Sequence, residues 1–256
     1  ADCRNLRARD ATHSVDEATE EQMNRAHRNP TRALVLLLAA GALPSGCFED
    51  RRESPRPGPE GLVLTVLFHH GGRSRLLADD AGTPEDPGDD RGGIARFVAL
   101  ARELTARGSA PRPDGRDAGA ILISAGDEVL SGAVHEAGRR AGVSFDRRAL
   151  SLVGFHAICP GNREFDLGPE GFAGLAEGIA PAPPFVASNL CVSGEPLLEA
   201  LTRTDPPALA RRVRVSLRSG GRTHEIGVVG AVAPDLERDS RPGEVHVEDA
   251  AVSLQA

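Results

Sequence analysis

After residue 60, continuous apolar runs are separated by segments with apolar residues at helical spacing, which predicts strands separated by helices. Four continuous apolar runs have the length of buried strands: 61–68, 120–124, 155–159 and 185–190. The first of them, 61–68, reads as a strand buried on both faces. Two further segments place apolar residues on a helical face: 92–107 and 169–179. Residues 212–230 read as a hairpin turning at Ser219-Gly220-Gly221. This order predicts an α/β fold with a largely parallel sheet.

An apolar run at 33–43 stands apart from these elements. Three arginines precede it, and Pro44-Ser45-Gly46-Cys47 follows it. A buried helix rarely begins with three arginines, and the run is too short to span a membrane as a helix. We therefore interpret 23–47, starting at Met23, as a lipoprotein-type signal peptide with Cys47 as the lipidated residue, although Pro44 stands where an aliphatic residue is usual. We expect an exported periplasmic or cell-envelope lipoprotein, attached to the membrane by its lipid anchor.

The segments on either side of this predicted signal lack apolar periodicity. Residues 1–22 are polar and acidic and are expected to be a disordered tail or a spurious extension. Residues 48–60 are rich in proline and charge, which is typical of a linker. The remaining 61–256 are expected to form the folded domain.

The composition excludes some classes of function but does not indicate a particular one. The 256 residues carry a net charge of −7, and all 30 basic residues are arginines. Because no basic stripe is interleaved with aromatic residues, a nucleic-acid partner is not expected. Two cysteines lie in the predicted domain, Cys159 and Cys191, and either a disulfide or two separate buried thiols fits their positions.

Polar and glycine-rich loops follow three of the predicted strands. These loops are Gly71–Arg75, Gly126-Asp127 and Gly161–Asp166. In parallel sheets, the loops at the carboxyl ends of the strands build the functional site. We therefore expect the three loops to meet.

Six motifs in sequence order carry a family resemblance. They are Gly92-Gly93-Ile94-Ala95-Arg96, Ala125-Gly126-Asp127, Gly161-Asn162-Arg163-Glu164-Phe165-Asp166, Gly168-Pro169-Glu170-Gly171, Ala187-Ser188-Asn189-Leu190 and 224–230. Over 61–256 the chain resembles the calcineurin-like metallophosphoesterase superfamily, specifically the N-terminal part of its 5′-nucleotidase and UDP-sugar hydrolase branch. The resemblance implies a metallophosphoesterase-type αββα sandwich, truncated at its C-terminus. It also implies hydrolysis of nucleotides or other phosphomonoesters with two divalent metal ions, Zn, Mn or Mg.

The family's metal ligands are only partly present. Asp127 matches the carboxylate that bridges the two metals, and Asn162 matches an amide ligand of the second metal. The first loop of the family carries Asp-x-His, but here Gly71 and Arg73 stand at those positions. Arg73 and Arg163 would place guanidinium charges beside the metal cations. Two like unit charges about 4 Å apart repel by on the order of 4 kcal/mol at an effective dielectric of ~20. We therefore expect binding of two metals to be weak or absent.

The transition-state histidine of the family is replaced as well. Arg163 stands at its position and is the candidate catalytic residue that the resemblance implies. Glu164 and Asp166 are expected to support the loop by hydrogen bonds. His69 and His70 fall before the ligand positions and are not expected to replace the lost ligands.

Three hypotheses about function follow. The first is an exported 5′-nucleotidase-like phosphoesterase that is impaired in this chain. The second is a non-catalytic lipoprotein that keeps the fold and binds phosphate or a nucleotide through Arg73 and Arg163. The third is a fragment or decayed product with no stable function.

Overall fold

A computed structural model describes residues 61–79, 91–177 and 184–254, together with the backbone of 34–38. Met23, Cys47 and the segments 1–22 and 48–60 lie outside the described residues, so the signal peptide, the lipidated cysteine and the linker stay predictions. Among the described residues, no helix is long and apolar enough to cross a membrane.

The described helices are α1 (Ile94–Gly108), α2 (Ala133–Arg140), α3 (Phe145–Val153), α4 (Gly168–Ala176), α5 (Pro196–Leu201), α6 (Leu236–Asp239) and α7 (Ala250–Ser253). The described strands are β1 (Leu34–Leu38), β2 (Leu62–His69), β3 (Ala78–Asp79), β4 (Arg91–Gly92), β5 (Asp117–Ser124), β6 (Ala157–Ile158), β7 (Phe185–Val186), β8 (Leu190–Cys191), β9 (Leu209–Ala210), β10 (Arg212–Ser219), β11 (Arg222–Ala231) and β12 (His246–Val247). The predicted alternation of strands and helices is confirmed. The predicted strand 185–190 is split into β7 and β8.

A parallel sheet organises the domain, as predicted. Its order is β2-β5-β6-β7-β9, and every pairing in it is parallel. Strand β5 is buried along its whole length. Strand β2 lies at the edge, where Val66 and Phe68 remain 40% and 59% exposed. The prediction that β2 is buried on both faces is therefore wrong, because a continuous apolar run does not distinguish an edge strand from a central one.

Each face of the parallel sheet has its own apolar core. On one face, Ile121 and Ile123 of β5 pack against Val215 of β10 and against Ile226 and Val228 of β11. On the other face, the helices cover a larger core; its fully buried aromatic residues are Phe165, Phe172 and Phe185. The layers are thus helices, parallel sheet and antiparallel sheet.

A buried carboxylate joins the two sheets. Asp117, at the start of β5, accepts hydrogen bonds from Arg222 Nε at 2.8 Å and from His224 Nε2 at 2.7 Å, both on β11. The guanidinium of Arg222 and the imidazole of His224 hold the pKa of this carboxyl below its usual value. The contact ties the hairpin to the parallel sheet.

Strand β1 is the third strand of the antiparallel sheet. Its backbone pairs antiparallel with β11, from Leu34 opposite Ala231 to Leu38 opposite Gly227. These five residues belong to the apolar run that the sequence analysis interprets as part of a signal peptide. The same segment thus has a pairing partner in the folded chain.

The two cysteines of the domain are separate thiols. Cys159 and Cys191 are both buried and free, so of the two arrangements considered, the thiols are the correct one. Burial raises the pKa of Cys159 to about 12. The Cys159 thiol is therefore not set up for nucleophilic chemistry.

Candidate functional site

The three loops that follow β2, β5 and β6 do meet at one edge of the parallel sheet. Gly71 N–H donates to the Gly126 carbonyl at 3.0 Å, and Arg73 N–H donates to the Asp127 carbonyl at 3.0 Å. The backbone of the first loop therefore follows the backbone of the second. Asp127 lies at their centre.

The second and third loops touch without room for a side chain between them. Gly126 has φ 86°, and a Cβ there would lie 2.2 Å from the Gly161 nitrogen. A Cβ on Gly161 would lie 2.3 Å from Asp127 Oδ1. Asp127, which follows Gly126, also has a left-handed backbone conformation, with φ 55°. Both glycines are required by this close approach.

Asp127 is buried with one carboxylate oxygen unused. The residue is 1% exposed. Its Oδ1 accepts from the Arg163 N–H at 3.2 Å, whereas Oδ2 has no hydrogen-bond partner among the described residues. Since a buried acceptor without a partner is costly, Oδ2 marks a place where a cation or a donor would be stabilising.

Glu164 holds the second and third loops together, as expected of it. Its carboxylate accepts the backbone N–H groups of Gly161 at 2.7 Å, Glu128 at 2.8 Å and Asp127 at 2.9 Å. The side chain is 2% exposed. Burial, together with the nearby Asp127 and Glu128, raises the pKa of Glu164 to about 7. Its position is structural, because every contact is to backbone N–H.

His69 has a partner that the sequence analysis did not identify. Its Nδ1 lies 2.7 Å from Glu128 Oε1, and the Ser124 hydroxyl bonds to the same oxygen. The imidazole also packs on Phe97, with ring centroids 4.4 Å apart. The pairing joins residues 59 positions apart, and no local pattern in the sequence indicates it.

The two arginines contact Asp127 through their backbone N–H groups, whereas the side chains of Asn162 and Arg163 have other partners. Asn162 Nδ2 donates to the Asp239 carbonyl at 3.3 Å. Arg163 Nη1 bonds to Asp166 Oδ2 at 3.2 Å, with its side chain 39% exposed. Arg73 has φ 49° and is exposed.

These residues do not fit two metal ions. Within 61–79, 91–177 and 184–254, no group of three His, Cys, Asp or Glu side chains is placed to hold one. Asp127 Oδ2 is a buried carboxylate oxygen with no hydrogen-bond partner among the described residues, while Gly71 offers no side-chain ligand and Arg73 and Arg163 carry positive charge. A divalent pair needs several anionic or imidazole ligands. No reaction step through metal ions follows from this arrangement.

Two solved nucleotidase structures share this fold. The 5′-nucleotidase precursor of Thermus thermophilus superposes with a TM-score of 0.55 and 26% identity, over 75% of this chain and 33% of that chain. The NAD nucleotidase of Haemophilus influenzae superposes with a TM-score of 0.52 and 18% identity, over 75% of this chain and 30% of that one. The chain thus spans about a third of the length of these nucleotidases. The predicted metallophosphoesterase-type α/β sandwich is confirmed.

Sequence comparison adds no family assignment. No protein-family model matches the chain, and no curated protein sequence matches it. The likeness to the nucleotidases therefore rests on the fold.

Proposed function

We propose that this chain is a nucleotidase-fold protein that binds a phosphorylated small molecule, such as a nucleotide, without hydrolysing it by two-metal chemistry. One observation carries the proposal: the backbone N–H groups of Arg73 and Arg163 both donate to Asp127. The backbones of two arginines therefore both lie against Asp127. We place the protein in the cell envelope, on the predicted signal at 23–47.

Guanidinium groups suit phosphate for a geometric reason. Each presents a planar fork of N–H donors that matches two phosphate oxygens. Arg163 uses Nη1 for Asp166 and its side chain is 39% exposed, so solvent reaches part of this side chain. The same charges oppose metal cations at short range. The names of both structural neighbours refer to nucleotides, which supports a nucleotide as the ligand.

Binding is tested by calorimetry with AMP, inorganic phosphate and adenosine. We expect AMP and phosphate to compete for one site and adenosine not to displace phosphate. Arg73→Gln and Arg163→Gln should each weaken AMP about tenfold. Arg214→Gln, on the exposed face of the hairpin, is the matched control. Absence of saturable binding, or equal affinity of all three variants, would overturn the binding proposal.

Hydrolysis is the second candidate function, and Asp127 Oδ2 favours it. A buried oxygen without a partner among the described residues suits a bound cation. Phosphate release from AMP with added Mn²⁺ or Zn²⁺ separates the two functions, with Asp127→Asn as the control. We expect both proteins to match the protein-free rate. Metal-dependent release that Asp127→Asn abolishes would establish the hydrolase instead.

A further inference from the structure

A groove between α2, α3 and α4 opens beside Arg163. Its volume is about 400 Å³, and Arg163 is one of its lining residues. The groove is therefore continuous with the candidate site on the side where Arg163 lies. A volume of this size is typical of small-molecule sites. A ligand whose phosphate lies on Arg163 can extend into this space.

Short contacts between the helices form the walls of the groove. Val143 N–H donates to the Gly138 carbonyl at 2.9 Å, and a Cβ on Gly138 would lie 2.6 Å from the Val143 carbonyl oxygen. Glycine at this position thus permits the close approach of α2 to the segment before α3. On the other side, Arg147 Nη1 donates to the Glu177 carbonyl at 3.0 Å and ties α3 to the end of α4. The shape of the groove is therefore fixed by the fold.

Two large apolar side chains remain exposed at this groove. Phe145 is 36% exposed and Leu167 is 44% exposed, and both line it. The α4 side of the groove carries Gly171 and Gly174, and a Cβ on Gly174 would have no atom within 4 Å. An exposed aromatic face beside open space suits the stacking of a flat ring.

The charge at the groove suits an anionic ligand. The basic lining residues include Arg139, Arg147 and Arg163, and the acidic ones are Asp146, Glu164 and Glu170. Asp146 and Glu164 are buried, which leaves Glu170 as the exposed carboxylate against three guanidinium groups. Arg147 bonds to a backbone carbonyl and forms no ion pair among the described residues. Positive charge therefore exceeds negative charge on the open side of the groove.

We propose that this groove binds the nucleobase of a nucleotide whose phosphate lies on Arg163, so that the site takes aromatic nucleoside phosphates in preference to sugar phosphates. The proposal rests on the phosphate binding at Arg163 proposed above. Ring nitrogens of a purine accept hydrogen bonds, whereas guanidinium groups only donate them. Arg139 and Arg147 thus offer donors to the edge of the nucleobase while Phe145 stacks on its face.

The competing location for a nucleobase is the cavity between the loop 71–76, α1 and α3. Arg163 lines the groove and does not line that cavity, which favours the groove. Leu100 is an exposed lining residue of the cavity and is remote from the groove lining. The Leu100→Ala variant therefore tests the cavity without changing the groove.

Three phosphates of increasing size separate the groove from phosphate binding: inorganic phosphate, ribose 5-phosphate and AMP. Calorimetry on the full chain should show AMP binding at least about tenfold more tightly than ribose 5-phosphate, because only AMP carries a nucleobase that can stack. Equal affinity of AMP and ribose 5-phosphate would overturn the groove proposal and leave phosphate binding at Arg163 intact.

Variants then locate the nucleobase. Gly174→Leu fills the open side of the groove and favours the helix, since leucine is a better helix former than glycine. It should abolish the preference for AMP over ribose 5-phosphate and leave inorganic phosphate binding unchanged. Phe145→Ala should weaken AMP about tenfold. The matched controls are Ala137→Leu on exposed α2 and Leu152→Ala on exposed α3, and both should bind AMP like wild type.

The result for Gly174→Leu decides the proposal even where Phe145→Ala does not fold. An undiminished preference for AMP in Gly174→Leu would overturn it. Loss of that preference in Leu100→Ala, with full preference in Gly174→Leu, would place the nucleobase in the other cavity.

Adenosine distinguishes failure of the groove from failure of phosphate binding. We expect it to bind weakly, with a dissociation constant on the order of 1 mM in ligand-detected NMR, and not to displace phosphate. If none of the three phosphates binds, adenosine binding that Gly174→Leu abolishes would support the groove and refute phosphate binding alone. If adenosine does not bind either, both proposals are overturned.

Discussion

Replacing Glu164 by alanine removes the acceptor of three short backbone N–H bonds at once. These N–H groups belong to Gly161, Asp127 and Glu128, at 2.7–2.9 Å from the carboxylate oxygens, and a longer fourth bond comes from Val129 N–H at 3.4 Å. A buried donor without a partner costs about 1–3 kcal/mol. We therefore expect Glu164→Ala to lower the free energy of unfolding by about 4 kcal/mol, a large part of the ~5–15 kcal/mol typical of a domain.

Glutamine at this position separates hydrogen bonding from charge. Its carbonyl oxygen, placed where Oε2 lies, keeps the bonds from Asp127 and Gly161, while its amide group faces the Glu128 N–H. The wild-type carboxyl has a pKa raised from 4.5 to about 7, because burial disfavours its charged form. The unfolded chain therefore ionises first as pH rises. Wild-type stability should fall between pH ~4.5 and pH ~7, by up to about 3 kcal/mol.

Urea unfolding followed by far-ultraviolet circular dichroism measures both effects, since the chain has no Trp or Tyr for fluorescence. Wild type should be more stable at pH ~5 than at pH ~8 by a margin that Glu164→Gln lacks. Equal pH dependence in the two proteins would show that the buried carboxyl does not control it. An alanine variant within about 1 kcal/mol of wild type would show that the three N–H groups find other partners.

Three further perturbations probe other contacts. Gly126→Ala should cost about 3 kcal/mol or more in urea unfolding, because its Cβ would meet the Gly161 backbone at 2.2 Å and its φ is 86°; a loss below about 1 kcal/mol would mean that the loops separate easily. The lowered pKa of Asp117 means that its ionised carboxylate stabilises the fold above pH ~4 and that this stabilisation is lost as the pH falls further. Asp117→Asn should therefore lose less unfolding free energy than wild type on acidification below pH ~4. An equal loss in the two proteins would contradict this. His69→Ala should lower the unfolding free energy by about 2 kcal/mol by removing a donor to the buried Glu128 carboxylate, and unchanged stability would mean that water replaces the imidazole.

The elements whose own sequence carries a clear local pattern were predictable. The continuous apolar run of β5, the amphipathic α1 and the turn at 219–221 each fix their own conformation, so they were predictable. The sequence analysis did not predict α2 and α3, which are 8 and 9 residues long. Helices of that length depend on tertiary packing more than on their own sequence.

Within the site, backbone contacts were more predictable than side-chain partners. The position of Glu164 in a loop motif indicated a supporting role, which its three N–H bonds confirm. The pairing of His69 with Glu128 joins two loops far apart in sequence, and the burial of Asp127 Oδ2 depends on how the second and third loops meet. Such features follow from three-dimensional packing, which periodicity and motifs do not encode.

If 23–47 acts as the predicted signal peptide, export and the pairing of β1 with β11 would draw on the same five residues, Leu34–Leu38. A leader removed after residue 46 would take Leu34–Leu38 with it and leave β11 with an open row of amide and carbonyl groups from Gly227 to Ala231. Such an edge accepts any extended chain that reaches it. Processing of the leader would then act as a maturation step that exchanges an internal partner for an external one.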